Sequence, residues 1–131
     1  MIGVLGHHAQ AYMLALAGTT TVLFAIPIAF APLRWARLML WRLPQDSDLA
    51  LYFGRCLGAL ALVLEILAIK AGLTGEGLSF VFEFMMLTFV AMVVVHVVGA
   101  LQKVQPVTET LETGLWLLFI IATAAFWPAA S

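Results

Sequence analysis

The sequence predicts an all-α integral membrane protein, a four-transmembrane-helix bundle with a short interfacial amphipathic helix between helices 1 and 2. Three observations carry this reading. Of the 131 residues, 64% are hydrophobic and only 10% are charged, with a mean hydropathy of +1.10. A water-soluble domain of this size has too little interior to hide so much apolar surface, whereas lipid covers it directly. Four apolar runs, near 11–32, 49–71, 79–101 and 108–128, each have the length needed to cross a bilayer core as a helix, about 17 to 25 residues. These runs lack the period-2 alternation of barrel strands, and only helices or closed barrels satisfy backbone polar groups in hydrocarbon. No internal repeat or linker divides the chain, so residues 1–131 are read as a single four-helix transmembrane domain.

The first run has no basic segment before it, and its far end, "APLRWARLMLWR", is basic rather than a small-residue cleavage site; it is read as a membrane helix and not a signal peptide. Pro27 and Pro32 bend or end it. The following "LRWARLMLWRL" places Arg34, Arg37 and Arg42 toward one side of a short helix and Trp35, Met39, Leu40 and Leu43 toward the other. That pattern predicts an interfacial helix, with its arginines among headgroups and Trp35 and Trp41 at the boundary. Pro44 stops it, and Asp46, Ser47 or Asp48 caps the second span. The turn "GLTGEGLS" joins spans two and three, with Gly72 expected as a C-cap and Ser79 as an N-cap. Pro106 or Thr108 opens the fourth span, whose Glu109 and Glu112 suit the positive end of its dipole.

Charge asymmetry sets an expected orientation. Arg34, Arg37, Arg42 and Lys103 lie on one side, with Arg55 just inside the second span, and Lys70 lies on the other. The positive-inside rule then places both termini outside the cytoplasm, with the 33–48 and 102–107 loops inside it; the expected location is a bacterial inner membrane.

Depth can be counted at about 1.5 Å per residue. Glu65 falls roughly 24 Å up the second span and Glu83 only ~6 Å into the third, at nearly the same outer level. They are candidates for ligand or ion binding, because an intramembrane carboxylate demands a reason. At the inner level Arg55, His96 and Glu112 match in depth and are read as a structural polar network, with Arg55 held by Glu112 and His96 bridging or donating to a backbone carbonyl. Gly54 and Gly58, four residues apart, allow close helix packing. His7 and His8 are weak metal candidates beside a solvated terminus. Met85, Met86 and Met92 are read as packing residues.

Several classes are excluded or unsupported. A formal net charge of −1 with scattered Lys and Arg argues against nucleic acid. The lone Cys56 permits no intramolecular disulfide. There is no P-loop, no HExxH and no second histidine within the spans for bis-His haem. No cofactor is predicted; the expected partners are membrane lipids and either further copies of the chain or other membrane subunits. Three functions stay open. The one taken first, because the short loops leave no soluble domain for chemistry, is a non-catalytic accessory or ligand-binding subunit of a membrane complex. The second is a homo-oligomeric proton- or cation-coupled transporter using Glu65 and Glu83. The third is a membrane redox or metal-binding subunit.

Overall fold

The computed structural model describes residues 2–128. Among these the protein is all-helical, with no strand and with four helices long and apolar enough to span a membrane. They are α1 (Gly6–Phe30), α3 (Asp48–Thr74), α4 (Leu78–Gln102) and α5 (Val107–Ala125). The short α2 (Pro32–Leu38) lies between the first two. Helix α1 packs along α3, and α4 packs along α5. The pairs meet in a core of α1 residues Ala9, Met13 and Leu16 against Ala68, Phe82 and Met85.

Helix α1 is not uniform. It opens with a 3-10 turn at Gly6–His8 and carries a π turn at Thr21–Ala25, closed by Ile26 N–H donating to the Thr21 carbonyl. The buried stripe runs Ala9, Met13, Leu16, Thr20 at α-helical spacing and then steps five residues to Ala25. Pro27 follows directly. Its ring crowds the carbonyl four residues back in a regular helix, and a π turn just upstream relieves that clash. The helix ends at Ala31 (φ −140°, ψ 51°), outside the α region that Pro32 disfavours for the residue before it.

The interfacial helix is shorter than the sequence suggests. It stops at Leu38 because Leu40 adopts a left-handed conformation (φ 64°). Leu40 N–H donates to the Arg37 carbonyl (3.0 Å) and Trp41 N–H to the Ala36 carbonyl (2.9 Å), the paired bonds of a Schellman turn. The same turn closes α4 at Lys103 (φ 56°), with bonds from Lys103 to Ala100 and from Val104 to Gly99, both 3.1 Å.

Two caps differ from expectation. Gly72 lies inside α3, where a Cβ would strike Leu14 of α1, and the left-handed C-cap is Gly75 (φ 76°). Ser79 sits within α4, whose N-cap is Gly77 (φ 70°). In both cases the chain uses the glycine that reaches positive φ without steric cost. Before α3, Ser47 occupies the N-cap position without a side-chain bond, and Asp48 N–H donates to Asp46 Oδ1 (3.3 Å).

Residues near the two ends of the described chain are tied together. Gly3 and Leu5 N–H donate to the Ala124 and Ala125 carbonyls, both at 2.8 Å. Beside them Tyr12 shares a hydrogen bond with Thr123 (2.8 Å) and stacks on Phe126 (4.7 Å between centroids). Gln10 Nε2 donates to the Gly72 carbonyl (3.1 Å), so the ends and the α3–α4 turn share one face of the bundle.

Candidate cation-binding centre

At the opposite end of the bundle, α4 and α5 converge on His96. Glu109 and Glu112 sit three residues apart on the first turns of α5, which places them on one helix face. Both turn inward against His96, which is almost fully buried. His96 Nε2 is 3.1 Å from Glu109 Oε2 and 3.6 Å from Glu112 Oε2. One ligand-competent atom from each residue lies within 4.8 Å of the others.

The surroundings orient this triad. His96 Nδ1 is 2.7 Å from the Met92 carbonyl, which can only accept. Nδ1 therefore carries the hydrogen, and Nε2 faces the carboxylates with a lone pair to be filled. Trp41 Nε1–H donates to Glu109 Oε1 (2.7 Å), leaving Oε2 directed at His96. Trp116 Nε1–H donates to His96 Nε2 over 3.4 Å, a long bond to the same lone pair. Gln105 Nε2 donates to the His96 carbonyl (2.9 Å) and to Thr110 Oγ1 (3.1 Å). Thr108 Oγ1 donates to the Met39 carbonyl, fixing the loop after α2 to the start of α5.

The two Schellman turns make these contacts possible. One reverses the chain after α2 so that Trp41 reaches α5; the other folds the α4–α5 loop back so that Gln105 covers His96. Gly99 completes the second, since a side chain there would overlap the Gln105 amide. A cleft of about 410 Å³ opens beside the triad, lined by His96, Glu109, Trp41 and Gln105 together with Val94, Val95 and Val98. A neighbouring cleft of about 470 Å³ shares Trp41 and Gln105 and adds Arg42 and Lys103.

The sequence-derived candidates are placed as follows. Of the inner network His96 and Glu112 meet, but Arg55 does not join them: it lies on the exposed face of α3 and makes no ion pair among the described residues. Equal depth brings charges together only when helix rotation agrees, and here rotation turns Arg55 away. Glu109 takes the third place instead. Glu65 and Glu83 are not joined either; Glu65 is buried against α1 while Glu83 is exposed. Gly54 lies under Pro32 and Gly58 under the Ala29 and Ile28 backbone, so both sit where the chain of α1 and α2 crosses α3 most closely. Arg34, Arg37 and Arg42 flank the α2 region, Trp35 packs edge-on against Phe24 (5.4 Å), and Trp41 belongs to the His96 centre. His7 and His8 are exposed, with ring centroids 3.9 Å apart. Cys56 is exposed on α3.

Glu109, Gln105 and Trp116 are not assigned to a site by the sequence, and Trp41 is read there only as an interfacial residue. The i, i+3 spacing of Glu109 and Glu112 was a usable signal for the first. Trp41 had none, since its approach depends on a left-handed leucine. Comparison with known protein families, curated proteins and solved structures finds no match, so the functional argument rests on this geometry.

Proposed function

We propose that the chain is a non-catalytic, cation-binding membrane protein that holds one divalent transition-metal ion, such as Zn²⁺, between His96, Glu109 and Glu112. The observation that carries the reading is the approach of one imidazole nitrogen to two carboxylate oxygens at 3.1 and 3.6 Å. Two ligands bonded at ~2.1 Å with a tetrahedral angle stand roughly 3.4 Å apart, between those two values. Charge balance supports the same reading. Two carboxylates and a divalent ion sum to zero with a neutral imidazole, so a bound ion leaves no net charge in a low-dielectric setting. The Met92 carbonyl on Nδ1–H and the Trp41 donor on Glu109 are the outer partners that orient such ligands.

This narrows the ligand-binding-subunit reading by adding a metal ion where the sequence alone predicts no cofactor. The site lies at the end of the bundle that the positive-inside rule turns toward the cytoplasm. The long apolar faces left exposed on α3 and α4 are covered by lipid, by further copies or by another membrane subunit.

The test is metal content and calorimetric titration with Zn²⁺ of the purified chain in detergent. One equivalent should bind, and His96→Ala and Glu112→Gln should each abolish binding. Equal uptake by wild type and His96→Ala would overturn the assignment.

A further inference from the structure

A second buried carboxyl lies far from the His96 centre, on a different helix pair. Glu65 of α3 is 8% exposed, and its Oε2 has no hydrogen-bond partner among the described residues. The Thr20 hydroxyl of α1 stands beside it. That hydroxyl has a single hydrogen, and it is committed to the Leu16 carbonyl (2.8 Å), with the Ala17 carbonyl at 3.3 Å. With that hydrogen used within α1, Thr20 offers Glu65 an acceptor, and a protonated Glu65 can donate to it.

No charge compensates an ionised Glu65. On its own helix Lys70 is exposed and stands 3.9 Å from Glu76. On α1 the titratable groups are Tyr12, bonded to Thr123, and the exposed His7 and His8. On α4, Glu83 is exposed and His96 is engaged with α5. Helix α2 brings only Arg34 and Arg37, which flank the opposite end of the bundle. Burying a bare carboxylate in such surroundings is disfavoured.

The neighbouring backbone is also irregular. The π turn Thr21–Ala25 begins one residue beyond Thr20, and Thr21 Oγ1 is buried without a partner among the described residues. Such turns are recurrent at functional sites in helices.

We propose that Glu65 is a reversible intramembrane proton-binding site, independent of the His96 centre, and that its proton holds α1 against α3 at the π turn. Loss of the proton leaves a buried carboxylate with an unpartnered oxygen and no compensating charge. Relief requires α1 to shift at the turn and admit water, which makes the α1–α3 seam the element biased by proton occupancy.

The experiment uses the full chain in lipid nanodiscs, treated with dicyclohexylcarbodiimide, a lipid-soluble reagent that adds to protonated carboxylic acids. Peptide mapping by mass spectrometry should find the adduct on Glu65, with labelling that falls about tenfold for each pH unit above its midpoint. The infrared C=O band of a carboxylic acid should follow the same titration and be missing from Glu65→Gln. No adduct on Glu65 at any pH would overturn the proposal, and that result needs no variant to fold. Suppression of labelling by NaCl at fixed pH would overturn it in favour of a sodium site.

Discussion

Trp41 and Glu109, 68 residues apart in the chain, are joined by a hydrogen bond of 2.7 Å. The indole donor occupies one carboxylate oxygen and leaves the other aimed at His96. Trp41→Phe keeps the ring and deletes the donor. It should weaken Zn²⁺ binding about 10- to 100-fold, the usual effect of losing an outer partner of a metal ligand. Isothermal titration measures this directly. Unchanged affinity would mean that Glu109 is oriented by α5 alone.

The two left-handed residues that frame the centre should be improvable. Holding a non-glycine residue in that conformation costs roughly 1–2 kcal/mol, partly offset by the greater chain entropy of glycine when unfolded. Leu40→Gly and Lys103→Gly should each raise thermal stability by about 0.5–1 kcal/mol. Metal affinity should be retained, because the turn geometry is preserved.

Gly58 and Gly18 form a matched pair for testing helix packing. A Cβ at Gly58 would run into the Ala29 backbone, whereas one at Gly18 meets nothing within 4 Å. Gly58→Leu should lower stability by about 3 kcal/mol or more, since overpacking here pushes on backbone. Gly18→Ala should be neutral or gain up to about 1 kcal/mol from helix propensity. Thermal unfolding in one detergent reads both.

Membrane orientation can be checked with single cysteines introduced at 73–78 and at 33–48 in a Cys56→Ser background. A membrane-impermeant maleimide should label the first set from outside intact cells and the second only after lysis. The reverse pattern would move the His96 centre to the external face.

The spans were legible because lipid imposes a length and a composition that a run of apolar residues reports directly. Their structural ends fall close to those read from sequence: Leu78–Gln102 against 79–101, for example. Relative height along the bundle follows from counting, and His96 and Glu112, matched in that way, stand side by side. Rotation was not legible. In helices apolar nearly all round, no polar stripe marks the inward face. Arg55 and Glu109 consequently exchanged places, and Glu65 was paired with a Glu83 that points elsewhere. The contribution of Trp41 lay further out of reach, because it depends on Leu40 in a conformation that leucine seldom adopts.

The π turn in α1 gives this helix an unusual tolerance. One residue of Thr21–Ala25 is surplus to the α-helical repeat, so the buried stripe resumes a position late. Deleting a single residue there, together with Pro27→Ala to remove the ring clash, would restore continuous four-residue steps. Ala25 and Ala29 would keep their seats against α3. The same deletion placed between Ala9 and Leu16 would turn the preceding residues by about 100° relative to everything after them. Length variation in this protein should therefore be concentrated at one turn in mid-helix rather than confined to the loops.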